Sequence, residues 1–332
     1  MTDSFAFLII TLVIILAFEA VNGWTDAPNA IATVVSTRVL KPSTAVALAA
    51  FFNLLGALSG TAVATTIGKG IVDLNIVNLE TVAAAALSVV IWSSLAAYFG
   101  LPTSESHGIL AAIAGAGVAV GGRDVLVLSG WEKVLTGLGV AVTGGFIGAF
   151  ILMFALMWAL RRASPALTRR LFSPMQVCSA AFMAWSHGTA DGQKAMGVMA
   201  MALAIYYHPG DPVSNFHVPL WVILLAASTM SLSTAFGGWR IIRTLGMRLT
   251  HLEPVHGFAA ETAAAMTITV SSRFGIPLST THTIGSAIMG VGATKRLSAV
   301  RWGVAQNIVM AWILTFPICF ALGYVIALLI PG

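Results

Sequence analysis

The chain has 332 residues, 58% of them hydrophobic and 9% charged, with a mean hydropathy of +0.92. A soluble domain carries about 25% charged residues, whereas a bilayer asks for uncharged stretches of about 20 residues. The ten-residue alternation of a membrane β-barrel does not occur in the sequence, so the expected fold class is an all-α polytopic membrane protein.

A net charge of +5 and a pI near 9.6 would suit nucleic acid, but the basic residues cluster where apolar runs end. Arg38 and Lys41, then Arg161, Arg162, Arg169 and Arg170, then Arg240, Arg243 and Arg248, then Lys295, Arg296 and Arg301 form such groups. This is the positive-inside pattern of membrane topology, and nucleic acid is excluded as a partner. The two cysteines, Cys178 and Cys319, sit in apolar runs and have neither disulfide nor metal spacing.

The first apolar run covers residues 4–22. Asp3 precedes it, no Lys or Arg does, and Glu19 interrupts it, so it reads as a retained span rather than a signal peptide. "NGWTDAPNA" follows, placing Asp26 and Asn29 on one helix face, with Gly23 and Pro28 expected to loosen the helix. A plain span is expected over 43–67, where Asn53 stands alone as interhelical glue. The runs 81–99 and 108–121 flank Pro102-Thr103-Ser104-Glu105-Ser106-His107. The second of them is too short to cross about 30 Å of hydrocarbon at about 1.5 Å per residue. Residues 81–121 are therefore expected to form a helical hairpin or broken helix whose polar joint lies at membrane depth, shielded by protein. A long helix over 133–160 ends the half.

The Arg-rich stretch 161–170 separates the halves, and the order then repeats. The run 174–206 carries "SHGTADGQKAMG", with Asp191 and Lys194 at i, i+3, flanked by Gly188 and Gly192. A span over 218–238 follows. The runs 255–272, containing Glu261, and 283–293 flank Pro277-Leu278-Ser279-Thr280-Thr281-His282. A long last helix covers 302–330. The charge rule puts 68–80 and 208–217 outside, 161–170 and 239–248 inside, and both termini outside. The predicted organisation is a first repeat (1–160), a cytoplasmic linker (161–173) and a second, inverted repeat (174–332). Secondary transporters of this inverted-topology plan hold substrate at the repeat interface near the midplane.

Hydroxyls and free N–H groups at a helix start make an anion site, and two facing joints would cradle one oxyanion. Carboxylates in membrane segments are costly and by default functional. Asp26, Asp191 and Glu261 are thus candidates to take a coupling cation or proton. For Glu19, packing and function weigh equally. Glu105 would repel a bound anion unless protonated, paired with a cation or turned away. His107, His187 and His282 match no zinc spacing; capping or orienting hydroxyls is the expected role, and no metal site is assigned.

The stretches "FEAVNGWTDAPNAIATVVSTR", "FGLPTSESH", "SHGTADGQKAMG" and "GIPLSTTH" resemble the inorganic phosphate transporter (Pit) family, in particular its bacterial low-affinity branch. The resemblance spans almost the whole chain. It implies symport of inorganic phosphate with a cation in a bacterial inner membrane, without a cofactor and without enzyme activity. By resemblance, Thr103, Ser104, Ser106, Ser279, Thr280 and Thr281 bind phosphate. Asp26, Asn29, Asp191, Glu261 and Lys194 serve the coupling ion, H+ or Na+. Glu105, His107, His187, His282 and Asn53 support them, Asn53 as the first-half counterpart of Glu261. Thr25 and Ala190 stand where the family has Asn, and Lys194 replaces a second Asn; both departures favour protons over sodium. The expected partners are phosphate, free or as a metal-phosphate pair, a coupling cation and the lipid bilayer, with a homodimer allowed. The rival readings are a sulfate permease of the same fold, a passive anion channel and an intramembrane Ser/His hydrolase.

Overall fold

A computed structural model describes residues 4–330. Asp3 and the two chain ends lie outside the described residues. Among those described there are twelve α-helices and one isolated β-bridge, Val72 with Leu126.

The first half opens with α1 (Phe5–Ser36), started by Ser4, whose hydroxyl accepts the Phe7 N–H at 3.2 Å. Next come α2 (Pro42–Ala57) and α3 (Ala62–Lys69), then α4 (Leu79–Phe99), α5 (Glu105–Gly121) and α6 (Leu128–Ala159). The second half follows the same order: α7 (Pro165–Tyr207), α8 (Leu220–Thr234), α9 (Trp239–Ile242) continued by a π-helical turn Arg243–Arg248, then α10 (Pro254–Arg273), α11 (Thr280–Lys295) and α12 (Trp302–Leu329). The helix α7 starts at Pro165, inside the stretch read as a linker.

The packing repeats when the halves are exchanged. The helix α5 packs on α12 as α11 packs on α6; α1 packs on α8 as α7 packs on α2; α1 meets α4 as α7 meets α10. The helices α1, α4, α6 and α12 are each long and apolar enough to cross a membrane, and the bent pairs α2–α3 and α8–α9 raise the number to six. The outer faces of α6 and α12 expose Ile147, Ile151, Phe154, Ile313, Val325 and Leu328, an apolar belt suited to lipid. This is a membrane protein.

Both expected hairpins are present, as α4–α5 and α10–α11, with joints over 100–104 and 274–279. The joints turn at Gly100 (φ 71°) and Gly275 (φ 64°), a left-handed conformation that glycine adopts without a Cβ clash. Each glycine carbonyl accepts a hydroxyl from the bent pair of the other half: Thr66 reaches Gly275 at 2.7 Å and Thr244 reaches Gly100 at 3.0 Å.

Two expectations are corrected. The spans over 43–67 and 218–238 are not plain: α2 and α3 meet at 71°, and α8 and the α9 segment at 64°. A break leaves the first amides of the new helix without partners. For α3 they are satisfied from a distant helix, because Gln193 Oε1 accepts the Val63 and Ala64 N–H groups at 2.8 and 3.2 Å. Conversely, α1 runs unbroken through the motif expected to loosen it, and α7 likewise runs unbroken past Gly188 and Gly192. Their glycines serve close approach instead. A Cβ on Gly23 would lie 2.5 Å from the Met230 carbonyl oxygen, and one on Gly188 would lie 2.2 Å from that of Asn53.

Candidate functional site

The apolar interior is split into two clusters. One gathers around residues 30–35 of α1 and 172–190 of α7; the other gathers around 8–18 of α1 and 195–202 of α7. Between them lies a polar layer of α1 and α7 that meets the two joints. Asp26, Asn29, Asp191 and Lys194 are all buried there.

Each joint begins a helix with a serine cap. Ser104 Oγ accepts the His107 N–H at 3.2 Å, and Ser279 Oγ accepts the His282 N–H at 3.1 Å. A capping hydroxyl keeps its own proton for donation. The two tips touch: Ser106 donates to the Leu278 carbonyl at 3.0 Å, and the His107 and His282 rings stand edge to face with centroids 4.7 Å apart. The helix α12 walls this contact. Trp312 lies against His282 and Phe316 against His107, while Trp312 Nε1 donates to the Pro102 carbonyl at 3.0 Å. His282 Nδ1 lies 2.5 Å from Ser279 Oγ, which fits an orienting role. Both His107 ring nitrogens are buried without a partner.

The second joint carries the contacts to the carboxylates. Thr280 donates to Asp191 Oδ2 at 2.9 Å, and Thr281 donates to Asp26 Oδ1 at 3.1 Å. Asn29 Nδ2 donates to both hydroxyl oxygens, at 3.3 Å to Thr280 and 2.9 Å to Thr281. Carboxylates from both halves thus converge on α11. The first joint behaves differently. Glu105 is turned toward α1 and α4, where it accepts from Thr25 at 3.0 Å and from Ser93; that resolves its conflict with a nearby anion. Thr103 is buried, but no side-chain hydrogen bond from Thr103 or Ser104 reaches the carboxylates among the described residues.

Asp26, His187 and Asp191 each offer one ligand atom within 4.8 Å of the others. The space is shared with Lys194. Its Nζ is 3.1 Å from Asp191 Oδ2, 3.8 Å from Asp26 Oδ2 and 3.2 Å from Asn22 Oδ1. His187 stands between Asp191, at 3.1 Å from Nε2, and Asn53, at 3.1 Å from Nδ1. Asp26 Oδ2 and Asp191 Oδ1 lack any hydrogen bond.

Glu261 forms a separate knot nearer the basic loops. It accepts from Thr33 of α1 at 2.5 Å, from Gln176 of α7 at 3.3 Å and from Ser179 of α7. Thr37 in turn donates to Gln176 at 2.9 Å. Asn53 is not its first-half counterpart. It lies on α2, bonded to Thr234 and His187, and the residue equally far before the first joint's proline is Ala86. A cavity of about 1220 Å³ opens beyond this knot rather than between the tips, lined by Thr37, Arg38, Lys41, Arg169, His251 and Glu253 among others.

The motif reading missed the continuity of the polar layer. Glu19, Asn22, Asp26, Asn29 and Thr33 of α1 and its C-cap residue Thr37 follow at three- and four-residue steps, and all are buried. That periodicity places them on one helix face and was available in the sequence. Gln176 and Gln193 carried no such signal, because each is defined by partners on other helices.

The phosphate transporter family, PHO4, matches residues 22–323. A Rhizobium meliloti protein named "Probable low-affinity inorganic phosphate transporter" is 42% identical over 95% of this chain and 94% of its own length. A Bacillus subtilis protein of the same name is 39% identical, covering 95% and 96%. A solved structure titled "The sodium-dependent phosphate transporter" superposes with a TM-score of 0.87 at 23% identity, covering 97% of this chain and 98% of the other.

Proposed function

From its membership of the phosphate transporter family, we propose that this chain imports inorganic phosphate by proton symport, binding it between the two hairpin joints. The members of that family are transporters, not enzymes. One observation carries the coupling: the hydroxyl protons of Thr280 and Thr281 are given to Asp191 and Asp26. A threonine hydroxyl has one proton. If a phosphate oxygen takes it, Asp26 loses its hydrogen-bond donor and keeps only Lys194 at 3.8 Å, while Asp191 keeps Lys194 and His187; two buried carboxylates then share one ammonium beside an anion, a costly state. A cation or proton arriving at the carboxylate removes that cost. Anion and cation therefore bind favourably together and unfavourably alone, which is what a symporter requires.

In this reading Ser106, Thr280 and Thr281 donate to phosphate oxygens, and the capping serines Ser104 and Ser279 add their remaining protons. The N-termini of α5 and α11 supply partial positive charge, and Thr103 shapes the wall. Asp26 and Asp191 take the coupling charge, with Asn29 orienting the threonines and Lys194 holding the carboxylates. Glu261 handles a proton on the route toward the basic cavity. His107, His187, His282, Glu105 and Asn53 position these groups. The packing that repeats on exchange of halves supports an inverted repeat, with the basic loops in the cytoplasm, both ends outside and the bacterial inner membrane as the location.

Phosphate can donate a hydrogen bond to a carboxylate and sulfate cannot, so the two buried carboxylates that meet the second joint, Asp26 and Asp191, favour phosphate over the sulfate reading. The test is uptake of radiolabelled phosphate by purified protein in liposomes under an imposed pH gradient, with sulfate as competitor. Concentrative uptake that Asp26→Asn abolishes, and that excess sulfate leaves intact, is expected. Undiminished accumulation by Asp26→Asn overturns the coupling assignment, and full competition by sulfate overturns the substrate.

A further inference from the structure

A hard monovalent cation seeks several oxygen ligands, carboxylate and amide oxygens among them. Asn22 Oδ1, Asp26 Oδ2 and Asp191 Oδ2 form such a set, drawn from α1 and α7, but the residues present do not fit a metal ion. The Lys194 ammonium already faces all three oxygens, at 3.2, 3.8 and 3.1 Å. Two of its three N–H donors are within hydrogen-bond reach of Asn22 and Asp191 and the ammonium faces Asp26 Oδ2 across 3.8 Å; the residue is 1% exposed, so it cannot swing into water without opening the helix packing. We infer that Lys194 is a built-in cation filling the position a sodium ion would take, so that this carrier works without sodium. The inference rests on the phosphate-symport reading only for its transport readout.

Three further features support it. The ammonium comes from α7 while two of its acceptors come from α1, so it joins the halves as a bridging ion would. A metal ion on the same oxygens would lie within a few ångströms of a fixed positive charge in a medium that screens poorly. The acceptors without hydrogen bonds that remain nearby, Asp191 Oδ1 and Glu19 Oε1, belong to different carboxylates, and Asn22 Nδ2 donates to the other oxygen of Glu19 at 3.1 Å. They do not make a second chelating set.

The experiment has two arms. Purified full-length protein without phosphate is unfolded thermally in sodium chloride and in choline chloride at equal ionic strength. The wild type is expected to show no sodium-specific shift. Lys194→Asn, which vacates the position and restores an amide oxygen, is expected to gain a saturable one, since a ligand that binds only the folded state raises its melting temperature. In liposomes, wild-type phosphate uptake is expected to be indifferent to sodium, and Lys194→Asn uptake to rise on the order of tenfold with it, equivalent to about 1.4 kcal/mol. Sodium-specific stabilisation of the wild type overturns the inference, as does a folded Lys194→Asn protein that ignores sodium. If that variant does not fold, the wild-type arms decide alone: sodium-indifferent melting and uptake sustain the inference, and a sodium requirement in either ends it. Failure of the wild type to carry phosphate would sink the transport reading while leaving the melting arm intact.

Discussion

Thr281→Val removes one hydroxyl from the centre of the proposed site at nearly constant volume. In the structure that hydroxyl accepts from Asn29 Nδ2 at 2.9 Å and donates to Asp26 Oδ1 at 3.1 Å. Asp26 Oδ2 has no hydrogen bond, and its nearest cation, Lys194 Nζ, is 3.8 Å away, so Thr281 is the only hydrogen-bond donor to that carboxylate among the described residues. In the proposed complex Thr281 gives this proton to a phosphate oxygen instead; a hydrogen bond to a charged group contributes about 1.5–3 kcal/mol, and each 1.4 kcal/mol is about tenfold in an equilibrium constant. The variant should therefore raise the KM for phosphate by roughly 10- to 150-fold. Thr283→Val is the matched control: it sits on the same helix, but its hydroxyl bonds back to the Ser279 carbonyl at 2.8 Å, a local bond that costs little to lose. Initial rates of radiolabelled phosphate uptake in liposomes, measured against phosphate concentration, give both constants. A Thr281→Val protein with wild-type KM, or an equal loss in the two variants, refutes the reasoning.

Two packing predictions are independent of transport. Gly188→Ala drives a methyl group to 2.2 Å from the Asn53 carbonyl oxygen, a backbone atom that cannot move alone, so it should destabilise by about 1–3 kcal/mol; melting of the detergent-solubilised protein reads this. Gln193→Ala leaves the Val63 and Ala64 amides of α3 without their acceptor and should cost about 1–3 kcal/mol per stranded buried donor, with faster hydrogen exchange confined to the start of α3. Equal exchange in the variant and the wild type would show that the break between α2 and α3 does not depend on this side chain.

The two polar joints were legible because a proline and a run of hydroxyls between apolar stretches is a local signal, and the short helix after each joint confines the interpretation. Ser104 and Ser279 fall at the cap positions that such a signal implies. The bend between α2 and α3 was not legible, because "LSGT" over 58–61 is unremarkable and the acceptor for the stranded amides is Gln193 on α7. Gly23 was misread for a related reason, and Gly188 poses the same ambiguity. Gly23 and Gly188 are compatible with either a loosened helix or a close crossing, and only the carbonyl groups facing them distinguish the two.

Composition and hydropathy determined by themselves that this chain lives in a bilayer and that polar joints interrupt it twice, since those are properties of short contiguous stretches. Family membership was legible in the same stretches. Which hydroxyl faces which carboxylate was decided only by tertiary structure: Thr281 and Asp26 are 255 positions apart in the chain, and Lys194 meets Asp26 only because α1 and α7 pack side by side. A side chain's partners depend on helix crossings that no local pattern encodes, so the pairing of charge with charge is a property of the packed molecule.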